Sequence, residues 1–506
     1  MQNIHALALL TLGMLHPVLS FSSMPAPACI SDRADVEEGG LTPQRIENLP
    51  SREEAPPRVV FEEVYLAKAG YEEEAHEIAF VEPSRSLFMS MLTQNILHKI
   101  PLDDHLEMKE YRSHRSTKIG PERGGLHNVG KSQTRGDNML WLSTQCENRV
   151  LLVDSNDLSK APRYTLAVPT HFDLGQLDRE ADPMGYSDTC GMANDHCEGG
   201  AQCGLAIGGP HSVREAADGS IWVALKGMYT SEVYRRVGKD NNICTGGSWQ
   251  LHSEDDRVGY ALWNIHPDHF DMTKSAFGGT LYPARKSPVM IDIDGQGNVF
   301  TGQDSVPWVH RVDTKGNAQQ IAMPKGPDGV QIPTSGPAVV ATPDGSAIFI
   351  ASLMNEEGLI VQFRSGETTP RVITALRDTR DTNYWASPEQ GLQQRIIHFA
   401  CSNHGGWDYG QNTLYALTSS LLEPQAPEQI IALQFTEDWS KPDLDGDYGL
   451  MRLTLPGYNK GAHRICIAEG NSSSSPGAHM LRRAFVSNTL SNTITMAKSK
   501  NREWNW

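Results

Sequence analysis

The chain has 506 residues, a formal net charge of −17 and a sequence pI near 5.5. That acidic balance argues against a nucleic-acid partner, and beyond the first twenty residues no apolar run is long enough to span a bilayer as a helix. The length exceeds the usual single domain, so the chain holds either several domains or one repeated unit.

In chain order, residues 6–15 (ALALLTLGML) are apolar and lead into Val18-Leu19-Ser20, whose small residue suits cleavage. Residues 1–20 therefore predict a secretory signal peptide, although no Lys or Arg precedes the apolar run, and place the protein in the secretory pathway or outside the cell. Residues 21–57, rich in Pro, Ser, Glu and Gly, predict a flexible leader, and 58–506 the folded domain. A β-like run, Val59–Leu66, opens that domain.

From there one pattern recurs seven times: a β-rich run, a polar turn, a second β-rich run. The copies are Leu87–Ile100, Leu140–Val153, Ile221–Val237, Val299–Val312, Ile348–Phe363, Leu414–Phe435 and Ala484–Met496. Each predicts an antiparallel hairpin. Gly-rich turns at Asp218-Gly219, Asp294-Gly295 and Asp344-Gly345 lie ahead of three copies, with another short apolar run upstream of two of them, at Val289–Ile293 and Ala338–Ala341. A further strand follows others, at Tyr164–Val168, Gln319–Ala322 and Arg371–Ala375. The unit is a four-stranded antiparallel sheet at an uneven period of roughly 50–80 residues, which fits an all-β, seven-bladed β-propeller with loop insertions. Six blades with one decorative hairpin is the other count. Too little chain follows the last hairpin for an outer strand, so Val59–Leu66 is expected to complete the last blade and close the ring.

Eight cysteines suit an oxidising compartment. Cys190, Cys197, Cys203 and Cys244 surround a Gly-rich insertion between the second and third repeats; disulfides there, or less readily a metal site with His196, would staple it. Pairing among Cys29, Cys146, Cys401 and Cys466 is left open by the spacing. Asn471-Ser472-Ser473 is a glycosylation sequon.

Five segments carry a histidine two residues ahead of an apolar position: His76-Glu77-Ile78, His127-Asn128-Val129, His211-Ser212-Val213, His398-Phe399-Ala400 and His463-Arg464-Ile465. Val289 and Ala338 hold the corresponding places in the fourth and fifth repeats. In a propeller these sit where the innermost strands begin, and the turns between second and third strands return to the same rim. That second set is Thr93, Gln145, Lys226, Gln303, Asp304, Trp308, Asn355, Ser419 and Asn488. One mouth would thus gather imidazoles, a cation, carboxamides, a carboxylate and an indole, the composition of a binding pocket. The bland role of any one histidine is a hydrogen bond to neighbouring backbone, and a purely ligand-binding, non-catalytic propeller is the third reading.

The run Gly208–Leu225 (GGPHSVREAADGSIWVAL), echoed by Ser335–Ser352 (SGPAVVATPDGSAIFIAS), resembles the blade signature of streptogramin-lyase-like propellers, with NHL-type and gluconolactonase-type propellers as wider relatives. The resemblance implies a propeller fold. Streptogramin lyases open a cyclic ester by elimination with magnesium and a His and Glu pair. Their glutamate follows a blade's second strand; here the comparable positions are Ser90, Thr144, Lys226, Gln303, Asn355, Ser419 and Asn488, none a glutamate. Peptide-amidating lyases hold zinc with three inner-strand histidines, which His127, His211 and His463 would mimic; the calcium cage of gluconolactonases has no counterpart in register.

In leader, acidity, cysteines and length the chain more narrowly resembles the fungal hetero-Diels–Alderases of tropolone-sesquiterpenoid biosynthesis. These join a tropolone ortho-quinone methide to a hydroxylated humulene. That resemblance implies a cofactor-free cyclase for polyketide and terpenoid substrates. His127, His211, His398, His463, Gln303 and Asn488 would be its hydrogen-bonding and proton-transferring groups, with a protonated histidine able to promote loss of water. His76, Lys226, Asp304, Trp308, Met91 and Met354 would line the substrate. The alternative is a zinc- or magnesium-dependent lyase or lactone hydrolase on the histidine ring.

Overall fold

The structure, a computed structural model, describes residues 44–46 and most of 59–499. The longer stretches outside the described residues are 1–43, 47–58, 66–74, 174–203, 227–259, 270–278, 326–337, 377–394, 403–411, 472–479 and 500–506. The signal peptide, most of the leader and the Cys190–Cys244 cluster lie there.

Six four-stranded antiparallel sheets and one of five strands form the seven blades of a propeller. Their innermost strands are Ala75–Val81, Leu126–Lys131, Pro210–Glu215, Pro288–Ile293, Ala338–Ala341, Ile396–Ser402 and Ala462–Asn471, blades one to seven in order. Each innermost strand neighbours the next, and the seventh neighbours the first, so the ring is closed. The second strands, among them Ile221–Leu225 and Asn412–Thr418, are buried along their whole length. A central strand covered on both faces favours apolar residues, and the polar ones these strands do carry, such as Thr413 and Thr418, are buried with the rest. The apolar clusters lie between blades rather than within them: Trp141 and Leu152 of blade two pack with Val213, Val223 and Trp263 of blade three. The core is therefore a set of inter-blade layers, and no blade can bury its faces alone.

In blade seven the strands Ala462–Asn471, Met480–Asn488 and Thr493–Ser499 are joined by Val59–Tyr65, with Val59 opposite Ser499 and Tyr65 opposite Thr493. Gln44–Ile46 adds a short fifth strand to that sheet. One expected hairpin differs in detail. The partner of Ile221–Leu225 is Tyr260–Ile265, not the segment ending at Val237, which lies outside the described residues. A long insertion separates the two strands, and the run YALWNI is largely buried. Among the described residues no helix is long and apolar enough to cross a membrane.

Candidate functional site: the axial histidine cluster

Six of the seven innermost strands carry an extra residue against their partner, a β-bulge near the strand's start. The shift falls between Ala75 and Ile78, Leu126 and Val129, Pro210 and Val213, Pro288 and Ile291, Ile396 and His398, and Ala462 and Arg464. In blade five the ladder Ala338–Ala341 is regular. A bulge breaks strict alternation and re-aims the side chains at it. In blades one, two and three it falls on the histidine and the residue after it, and in blade seven on His463 alone.

Second-strand serines hold these bulges across blades. Ser90 Oγ accepts the Glu77 amide at 2.9 Å and donates to the His127 carbonyl of the next blade at 2.9 Å. Ser143 repeats the pattern, accepting from the Asn128 amide and donating to the His211 carbonyl. Ser487 donates to the His76 carbonyl at 2.5 Å, carrying the relay across the closure. Backbone freed by a bulge is thus paired to the neighbouring blade, and the histidines inherit a common height.

Four rings pack against one another at the axis. Centroid separations are 3.5 Å for His127–His211, 3.8 Å for His76–His127 and 4.0 Å for His76–His463. All four are buried, His463 completely. Burial, reinforced by neighbouring charges, holds His76, His127, His211, His398 and His463 well below the ordinary histidine range, so at neutral pH the imidazoles are uncharged. Burial thus disfavours the charged form that the expected proton-donating role would use. Water is excluded from the rings, and Arg464 and Lys226 nearby already supply positive charge. A neutral imidazole offers one N–H and one lone pair, which suits hydrogen bonding or ligation rather than acid catalysis.

The residue after the histidine matters as much as the histidine. Arg464 is 1% exposed. Its Nε donates to Glu77 Oε2 at 3.0 Å, one terminal nitrogen donates to His463 Nε2 at 3.1 Å, and the other reaches Met290 Sδ at 3.7 Å. A single guanidinium thus ties blades one, four and seven together at the axis. His211 Nδ1 meets the Val289 carbonyl at 2.8 Å, and His398 Nδ1 accepts the Ile465 amide at 3.3 Å. His76, His127 and His463 each keep a buried Nδ1 without a hydrogen-bond partner among the described residues. Glu77, Asn128 and Arg464 stood inside the histidine triplets; their signal was a charged or amide residue at a position flanked by a strand's apolar entry.

The other expected residues are dispersed. Lys226 is buried and close enough to His127 and His211 to act on both. Gln145 and Ser419 follow second strands, their amides bonded to the Gly125 and Arg395 carbonyls. Gln303 Nε2 donates to Gln320 Oε1 at 2.6 Å, toward the outer strand of blade four. Asn488 Nδ2 donates to Thr493 and Thr495 within blade seven. Met91 lies in the core between blades seven and one, whereas Trp308 and Met354 are half-buried. Thr93 and Asp304 fall outside the described residues. Cys146 is disulfide-bonded, and Cys401 and Cys466 carry free thiols.

No protein-family profile matches the chain, and no curated protein matches it in sequence. Solved structures similar to it include a streptogramin B lyase, at TM-score 0.46 and 11% identity over 87% of this chain and 98% of that one. Virginiamycin B lyase from Staphylococcus aureus gives TM-score 0.48 and 11% identity over 87% and 99%. Hydrazine synthase from Kuenenia stuttgartiensis gives 0.45 and 13% over 86% and 97%. Likenesses this distant assign no activity, and the fold rests on the strand order itself.

Proposed function

We propose that this propeller is an enzyme of small-molecule metabolism whose reaction centre is the axial histidine cluster. It acts there by polarising a carbonyl or ester of a bound organic substrate, as a cyclase or lyase. One observation carries the reading: four buried imidazoles are packed ring on ring, with Lys226 and the Glu77–Arg464 pair beside them. A structural axis has little use for so many ionisable rings, since apolar side chains would fill it at lower cost. Neutral imidazoles donate hydrogen bonds to a developing oxyanion without needing a proton from solvent, and Lys226 adds charge stabilisation.

The cyclase form of this reading is a hetero-Diels–Alder closure, which asks mainly for orientation and for donors on a polarised carbonyl. The lyase form asks one imidazole to take a proton from carbon while the ester oxygen departs. Purified full-length protein would be incubated with a tropolone quinone-methide precursor and a hydroxylated humulene, and separately with a macrocyclic lactone, and products followed by mass spectrometry. Turnover of either, falling about 10²–10³-fold in His127→Ala and His211→Ala, supports the reading. Calorimetric binding without any product, unchanged in those variants, would leave a binding propeller instead.

A further inference from the structure

We infer that His76, Glu77 and His127 form a site for a divalent first-row transition-metal ion on the propeller axis. This goes beyond the reaction proposed above, because it stands whether or not the chain turns over a substrate. One ligand-capable atom from each residue lies within 4.8 Å of the others, and all three side chains are buried. Nδ1 of His76 and Nδ1 of His127 are buried and meet no hydrogen-bond partner among the described residues. A buried ring nitrogen in that state is desolvated without a compensating hydrogen bond. An ion offers both rings a partner at once.

The backbone explains why this trio forms. His76 and Glu77 are consecutive, and an ordinary strand would send them to opposite faces; the bulge between Ala75 and Ile78 relaxes that alternation. His127 arrives from the next blade at matching height because Ser90 bonds both the Glu77 amide and the His127 carbonyl. Arg464 Nε holds Glu77 Oε2 at 3.0 Å, the kind of outer contact that orients a ligating carboxylate and offsets its charge. The trio His127, His211 and His463 is less suited. Among the described residues its three ligand-capable atoms do not come as close together as those of His76, Glu77 and His127, and His463 Nε2 is taken by Arg464. Two imidazoles and a carboxylate with open positions suit zinc or ferrous iron. Metal bonds of about 2.0–2.2 Å require the three side chains to close slightly on the ion.

The full-length protein, stripped with chelator, would be titrated with Zn(II), with Fe(II) under anaerobic conditions, and with Co(II) as a spectroscopic probe. One equivalent per chain is expected, at least a hundredfold weaker in His76→Asn and His127→Asn and unchanged in His310→Asn, a remote histidine bonded to Gln320. The Co(II) spectrum of the wild-type protein should show d–d bands without thiolate charge transfer, a readout that survives if a variant fails to fold. No stoichiometric ion on folded wild-type protein, a thiolate-to-cobalt band, or affinity unchanged in both variants would overturn the assignment.

Discussion

Glu215 ends the innermost strand of blade three, Pro210–Glu215, and its substitution tests how the blades are held together. Its carboxylate is fully buried and accepts from the Gln133 amide at 2.7 Å, Thr134 Oγ1 at 2.5 Å and Trp141 Nε1 at 3.1 Å, and also from Ser132 and Arg135. All five donors belong to blade two, so one side chain binds two blades. Glu215→Gln keeps the shape but removes the charge and turns one acceptor into a donor facing other donors. Breaking one side of a buried pair costs about 3–5 kcal/mol, and unpaired donors lie within that figure. At about 2.1 cal/mol/K per residue, a cooperative ring of about 440 residues has an unfolding entropy of about 0.9 kcal/mol/K. The melting temperature should therefore fall by about 3–6 °C at pH 7.

The same site sets a pH dependence. Burial pushes the Glu215 carboxyl up, but hydrogen bonds from Ser132, Thr134, the Gln133 amide and Trp141 outweigh it and leave it below the ordinary value. A carboxyl with a lowered folded value stabilises fully above its unfolded pKa of about 4.3 and loses that contribution as pH falls through the folded value. The gap between wild type and Glu215→Gln, followed by calorimetry, should be full at pH 7 and narrow below about pH 4. A gap under about 1 °C at pH 7, or one of constant size down to pH 3, would refute the reasoning.

Two further outcomes follow from the axis and the closure. Glu77→Ala should destabilise by about 3–5 kcal/mol in urea unfolding, because it leaves the Arg464 guanidinium buried without its carboxylate; pairing it with Arg464→Met should recover most of that loss, and additive effects would deny the coupling. Deleting residues 1–66 removes Val59–Tyr65 from blade seven, along with Phe61 in the core and the contacts of Glu63 to Lys460 and Thr493. The exposed Thr493–Ser499 edge should then drive self-association in size-exclusion chromatography, whereas a monomer with the wild-type melting temperature would show the strand to be dispensable.

Much of the fold was legible because it is local chemistry repeated. Hairpins such as Leu140–Val153 and Leu414–Phe435, and outer strands such as Arg371–Ala375, announce themselves by alternation and turn residues. Blade three was misread where an insertion separates the two strands of its hairpin, since a β-like segment inside a long insertion competes on equal terms with the true partner. The histidine set was legible as a recurrence, and the structure brings His76, His127, His211 and His463 into one cluster. Gln303 and Asn488 end second strands opposite the starts of innermost strands, yet their amides turn to Gln320, Thr493 and Thr495. Strand position sets which rim a residue occupies, but local hydrogen-bond competition decides where its side chain turns.

The sequence by itself determined the repeat, the all-β class and the recurrence of histidine at strand entries, because hydrophobic period and turn chemistry act over a few residues. Only the tertiary structure decided that the rings are uncharged, that Arg464 crosses the axis to Glu77, and that the first imidazoles keep unpartnered nitrogens. Those properties depend on burial and on bulge registers propagated through serines from one blade to the next, and no stretch of chain contains both sides of such a contact.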